Sequence, residues 1–165
     1  TVPAEIDDPL GGNAAAPAVA MNGDGEAMVV WYQSGGNIAH IYASHIFSKE
    51  FCTWGPAVVV ESNAVQNAYD PQIAMDDLGN AMVVWLQLDG LTGHVWANYY
   101  TAGLGWIPAD AGLIEYGICD SLSPYVIIDR LNTYTAVWVQ NDGTKYNILT
   151  STFRSYSNSI CKQHS

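Results

Sequence analysis

The run EAMVVWYQ (residues 26–33) occurs again as NAMVVWLQ (80–87) and, in a weaker form, as TYTAVWVQ (133–140). The tryptophans of the three runs recur with a period of about 54 residues. Each tryptophan is preceded by a proline and followed, two positions later, by a glutamine, and both keep the same period. These landmarks are Pro17, Pro71 and Pro124, Trp31, Trp85 and Trp138, and Gln33, Gln87 and Gln140. Because several landmarks keep one period, the chain is a threefold internal repeat.

Each repeat predicts four short strands. The first begins at the proline, as in PAVAM (17–21), and ends in a turn rich in Asn, Asp and Gly, residues that tolerate tight-turn dihedral angles. The tryptophan run is the second strand, and a hairpin signal leads to a third, as in IYAS (41–44). AVVVE (57–61) and GLIEY (112–116) predict fourth strands. No segment keeps a helical period, so no helix is expected.

The fourth strand of the third repeat has no counterpart after Phe153, whereas the N-terminus holds a spare one. Pro3-Ala4 resembles Pro56-Ala57, and Asp7 lies one period before Glu61, which itself lies one period before Glu115. The sequence therefore predicts one unit over 1–165, with repeats at about 17–70, 71–123 and 124–165. Strand 1–7 is expected to complete the last repeat, in the same chain or in a partner chain.

This organisation predicts an all-β fold, a β-propeller with three four-stranded antiparallel blades in the chain, because radial repetition protects sheet edges. Propellers typically have about 4–8 blades, so three are too few to close a ring well. Two arrangements would solve this problem. Two chains could form a six-bladed homodimer, or the chain could be a piece of a longer propeller protein.

The amino-acid composition excludes some classes of binding partner. Sixteen acidic residues against five Lys and Arg give a net charge of −11, which argues against binding to nucleic acids or anionic membranes. The sequence contains no stretch of 18 apolar residues, so no membrane-spanning segment is predicted. The N-terminus has no signal-peptide pattern, so the chain is expected to be cytosolic, already processed or cut from something longer. No cofactor motif is present, and none is expected.

The pattern of Pro, turn Gly and AMVVWxQ resembles bacterial secreted propeller repeats related to the sialidase-like, Asp-box propellers. The resemblance covers almost the whole chain and implies a propeller at a secreted or cell-surface location. The strict Asp-box, Ser-x-Asp-x-Gly-x-Thr-Trp, is absent, and Asn132 replaces the turn glycine in the third repeat. Only Arg130 and Arg154 are available, so three arginines cannot converge on a carboxylate as in a sialidase.

Three functions remain open. The first is a non-enzymatic binding module that recognises a carbohydrate or a protein. The second is a structural or interaction fragment of a larger secreted propeller protein, and the third is a glycan-processing hydrolase. The repeated tryptophans are interpreted as core between blades. Ligand contacts are instead expected from aromatic residues that do not recur, namely Trp96, Tyr99, Tyr100 and Tyr69.

Other polar residues are interpreted as structural. Three acidic residues recur with the period: Asp7, Glu61 and Glu115. They either hold a cation or occupy solvated positions on the fourth strands, and the second interpretation is preferred. The turns at 22–26 and 76–80 lack the ligand pattern of calcium loops and are predicted to be tight turns. His40, His45 and His94 show no zinc spacing. Cys52, Cys119 and Cys161 are interpreted as structural thiols, with a Cys119–Cys161 disulfide as the alternative.

Overall fold

The computed structural model describes residues 3–46, 53–61, 65–107, 111–116, 120–156 and 159–163, with side chains described as far as residue 154. The described residues form the strands β1 (Ala14–Met21), β2 (Ala27–Gly35), β3 (Ile38–Ile46), β4 (Val58–Val59), β5 (Ala68–Met75), β6 (Ala81–Asp89), β7 (Thr92–Thr101), β8 (Gly105–Trp106), β9 (Gly112–Leu113), β10 (Ser121–Ile128), β11 (Thr133–Asn141), β12 (Tyr146–Tyr156) and β13 (Ser159–Gln163). No helix occurs among them, which confirms the all-β prediction.

The strands form three antiparallel sheets, one for each repeat. The first sheet has the order β1-β2-β3-β4, and the third has the order β10-β11-β12-β13. The second has the order β5-β6-β7-β8, with β9 also paired to β7. Within the described part of the chain, no helix has the length and apolar character that crossing a membrane would require.

The sheets pack face to face in chain order, with the second sheet in the middle. Met28 and Val30 of the first sheet pack against Val83 and Trp85 of the second, and we call this contact the first joint. The opposite face of the second sheet packs against the third sheet in the second joint. Trp31, Trp85 and Trp138 are all buried, which confirms that they belong to the core. The alternation of side chains thus makes both faces of the second strands apolar.

A bulge precedes each repeated proline. Ala16, Asp70 and Ser123 have φ angles of 50°, 51° and 50°, and the strand register shifts at each of them. A positive φ is uncommon for residues other than glycine, and bulges locally bend a strand. The first strand of each repeat is longer than the PAVAM-type segments predict. The strands β1, β5 and β10 each begin three residues before the proline.

Of the two arrangements predicted for the N-terminal strand, completion of the last repeat within one chain is wrong, and completion in a partner chain stays a prediction. Residues 3–7 form no strand, and Ile6 packs against Val29 and Trp31 of the first sheet, at the opposite end of the stack from the third sheet. The third sheet is instead extended by β13, which pairs with Thr152–Tyr156 of β12. Residues 52 and 119 and the side chain of Cys161 lie outside the described structure, and so does the disulfide considered for them.

Candidate functional site

The repeated glutamines fasten the chain that enters each sheet. In every repeat the tryptophan indole N–H donates to the glutamine Oε1 two residues later, at 3.1, 2.9 and 3.3 Å. The glutamine Nε2 then donates to a backbone oxygen of the preceding loop: Asp8 and Gly12, Gln66, and Tyr116 respectively. Because the glutamines are buried and fully engaged, the Trp-x-Gln motif is a structural clamp.

Two buried histidine–glutamate pairs also recur. His40 Nδ1 contacts Glu61 Oε1, and His94 Nδ1 contacts Glu115 Oε1 at 2.5 Å. The interpretation of both glutamates as solvated residues is wrong, since both are buried. Burial raises the pKa of Glu61, an effect that the hydrogen bond and charge of His40 oppose. Sequence reasoning missed these pairs, although each histidine follows its repeat tryptophan at the same offset.

The turns between the first and second strands are closed by one side chain. The Oδ1 atoms of Asn22, Asp76 and Asp129 each accept backbone N–H groups two and four residues later, at 2.8–3.0 Å. Gly25, Gly79 and Asn132 take the left-handed position in these turns, with φ angles of 81°, 83° and 58°. Asparagine tolerates this conformation better than most residues, so the tight-turn prediction is confirmed for the third repeat as well.

The four aromatic residues expected to bind ligand do not form one cluster. Tyr69 packs edge-on against Tyr32, and Trp96 is partly buried in the first joint. Tyr99 is buried in the second joint. Tyr100 lines a cleft of substantial size together with Trp106, whose ring centroid lies 5.3 Å from that of Tyr100.

We call this opening the His45 cleft, a space of about 510 Å³ at the outer end of the first joint. His45 and Ser44 line it from β3, Tyr100 from β7 and Trp106 from β8, and apolar residues complete its walls. The His45 and Tyr100 rings meet edge to face, with centroids 5.4 Å apart. The Ser44 hydroxyl donates to the Gly55 carbonyl at 2.7 Å, which anchors the loop at the rim.

The first joint has smaller side chains than the second joint at two equivalent pairs of positions, and one of them, His45, lines the cleft. Tyr99, the counterpart of His45 in the second repeat, packs edge-on against Tyr134 with ring centroids 5.6 Å apart. Ala81 occupies the position of Tyr134 in the second sheet, one repeat earlier. Two tyrosines in the second joint therefore occupy the positions that a histidine and an alanine occupy in the first. The cleft is thus lined by a residue, His45, that the repeats do not share.

The electrostatics of the cleft favour uncharged side chains. Burial lowers the pKa of His45 below its ordinary value, although the negative charge of Glu26 acts in the opposite direction. Burial also raises the pKa of the Tyr100 hydroxyl, and Glu26 adds to this effect. At neutral pH the cleft therefore presents a neutral imidazole and a neutral phenol beside an indole. Within the described ranges, no group of three or more His, Cys, Asp and Glu side chains is arranged to hold a metal ion.

The lowered pKa of His45 predicts a pH dependence of stability. As the pH falls below the ordinary value of 6.5, the unfolded chain takes up the His45 proton before the folded chain does. The contribution of neutral His45 is therefore present above this value and is lost on acidification. Urea titrations between about pH 7.5 and about pH 5 should show a steeper loss in free energy of unfolding for the wild type than for His45→Tyr. Equal slopes would contradict the prediction, since the two proteins differ at residue 45 alone.

Comparison with known proteins identifies similar folds but no family. No protein-family model matches the sequence, and no curated protein matches it. A protein of unknown function from Dyadobacter fermentans has a similar structure, with a TM-score of 0.58 and 11% identity; the match covers 95% of this chain and 55% of that one. A weaker match is the intramolecular trans-sialidase from Ruminococcus gnavus, solved with oseltamivir carboxylate, with a TM-score of 0.44 and 7% identity over 80% of this chain and 32% of that one. The chain thus spans about half the length of the first of these structures and shares its fold.

Proposed function

We propose that the chain is a three-bladed arc of a β-propeller that acts as a non-enzymatic binding module, with a neutral carbohydrate held in the His45 cleft. The propeller architecture is supported by three successive sheets of one repeat that pack face to face. It is further supported by the contacts that the first strand β5 makes with the first strands β1 and β10 on either side, since first strands surround the axis of a propeller.

The observation that carries the binding proposal is the combination of an aromatic wall with polar groups in one cleft. Trp106 is partly exposed and offers an apolar face, which suits the C–H face of a sugar ring. The His45 imidazole lies on the facing sheet, where its Nδ1 pairs with the Tyr100 hydroxyl at 3.4 Å, and this pair forms the polar part of the cleft wall. A volume of about 510 Å³ lies in the range usual for small-ligand sites, about 300–1,000 Å³.

Charge decides which class of sugar fits. Glu26 acts electrostatically on both His45 and Tyr100, and the chain as a whole carries a net charge of −11. A sialylated or uronic-acid sugar would bring another negative charge into this field, at an unfavourable Coulomb energy. We therefore expect neutral hexoses or their oligomers to bind in preference to acidic sugars.

A glycan array followed by calorimetric titration of the best neutral oligosaccharide tests the proposal. His45→Tyr should reduce affinity at least tenfold, because it puts into the cleft the residue that fills the second joint. Trp106→Ala should also weaken binding by removing the stacking surface. Tyr116→Ser changes an exposed aromatic residue outside the cleft and should leave affinity unchanged. Preference for acidic glycans, or neutral binding that survives His45→Tyr, would overturn the proposal.

A further inference from the structure

The outward face of the third sheet carries the counterparts of residues that are buried in the second joint. Val84 and Val95 of the second sheet are fully buried there, with no exposed surface. Their counterparts one repeat later, Val137 and Ile148, are 37% and 75% exposed. The third sheet is therefore built to pack against a following sheet, which the described residues do not include.

The outward face of the first sheet is the matching half of such a joint. Ile73 and Met75 of β5 pack against the first sheet in the first joint. Their counterparts one repeat earlier, Val19 and Met21, are each 65% exposed. The first sheet thus presents the surface that, in the second and third sheets, receives the preceding sheet.

The N-terminal segment lies where the edge strand of a preceding sheet would lie. Val60 and Ile114 are equivalent residues that hydrogen-bond to the third strand of their own sheet and pack on the next sheet. Ile6, which lies one repeat before Val60, packs on the first sheet in the same way. Ile6 thus packs on the following sheet as an edge-strand residue does, although residues 3–7 pair with no sheet of their own.

The third sheet has the corresponding free edge. In the second sheet, β9 pairs with Trp96 and Ala97 of β7. The counterparts of these residues in β12 are Leu149 and Thr150. Among the described residues, β12 pairs on this side only with β13, over Thr152–Tyr156, which corresponds to the part of β7 that β8 occupies. The place of β4 and β9 is therefore open in the third sheet.

A repeated polar contact is divided in the same way between the two ends. Ala39 N donates to Asn67 Oδ1 at 2.8 Å across the first joint, and Gly93 N donates to Asp120 Oδ1 at 2.7 Å across the second. The next donor in the series is the backbone N–H of Tyr146, on the third sheet, and the preceding acceptor is the exposed Asn13 side chain, on the first. The two ends thus carry the two halves of one further contact.

We propose that the third sheet of one copy of this chain packs on the first sheet of a second copy, with residues 4–7 of the second copy forming the edge strand on β12 of the first. Asn147, the counterpart of His40 and His94, then faces Asp7, the counterpart of Glu61 and Glu115. The contact joins two different surfaces, and two copies related by a twofold axis make it twice and close a ring of six sheets. The assembly does not depend on the ligand of the His45 cleft, so either proposal can fail alone.

Sedimentation equilibrium of the 165-residue chain should give twice the chain mass of 17.9 kDa. Val19→Asp and Ile127→Asp place a charge on the outward face of the first and third sheets respectively, and each variant alone should sediment as a monomer. Both positions are exposed, so circular dichroism should show an unchanged fold. An equimolar mixture of the two variants retains one intact pair of surfaces and should recover a dimer.

The mixing result separates this joint from other modes of association. If like faces met, one of the two variants would stay dimeric alone and the mixture would restore nothing, which would overturn the proposal. A wild-type chain that stays monomeric at about 100 μM would also overturn the proposal. The two faces would then be assigned to further repeats or to another partner. Leu91→Asp, at a fully exposed hairpin position, is the matched control and should leave the dimer mass unchanged.

Discussion

Replacing Trp85 with alanine is expected to lower the free energy of unfolding by about 4 kcal/mol, the usual cost of deleting a buried large aromatic side chain. Trp85 has no exposed surface and fills the first joint. The substitution also removes the indole N–H that donates to Gln87 Oε1 at 2.9 Å, inside a buried clamp. Urea denaturation followed by circular dichroism measures the change.

Two matched variants separate packing from hydrogen bonding at this position. Trp85→Phe keeps most of the apolar volume but removes the donor to Gln87, so it should cost about half as much as Trp85→Ala. Trp106→Ala removes a partly exposed tryptophan from the cleft wall and should cost less than either variant. A loss below about 1 kcal/mol for Trp85→Ala would contradict its assignment to the core.

Replacing Glu115 with leucine is expected to destabilise the second sheet by about 3 kcal/mol, since breaking one side of a buried pair leaves the other side unsatisfied. His94 Nδ1 and the Ser121 hydroxyl both contact the Glu115 carboxylate. Thermal unfolding monitored by calorimetry should therefore show a lower Tm for Glu115→Leu than for the wild type.

The double variant His94→Leu/Glu115→Leu is the informative control. Apolar replacement of both members of a buried pair is often neutral, so the double variant should recover much of the stability that Glu115→Leu loses. If the double variant is no more stable than Glu115→Leu, the loss of stability does not come from an unpaired His94 side chain. The Ser121 hydroxyl loses its acceptor in both variants and cancels in the comparison.

The repeated features could be predicted because they are local in sequence. The Trp-x-Gln spacing predicts the second strands, and the structure shows that Met28, Val29, Val30 and Trp31 alternate between two apolar faces. The histidine–glutamate pairs were equally accessible, because His40 and His94 share one offset from the tryptophans. A pattern for metal ligands does not reveal them, because each pair joins two residues that lie 21 positions apart in the sequence.

The end of the stack at which residue 6 lies could not be predicted. Spacing identifies Ile6 as the counterpart of Val60, but it does not say whether the segment stays on the first sheet or reaches the third. That choice depends on the direction in which the sheets stack. The His45 cleft has a similar origin, since it follows from the sizes of residues that meet only when two sheets pack, such as Tyr99 and Tyr134.

The glutamine clamp has a consequence for how the loops between repeats can diversify. Gln33, Gln87 and Gln140 bind main-chain oxygens, which every residue type supplies, and the sequence distances to those oxygens range from 21 to 25 residues. Insertions and substitutions in these connections can therefore accumulate while the anchoring bond is kept. The scaffold accordingly offers sites for loop grafting, where new recognition surfaces can be introduced without redesigning the sheets beneath them.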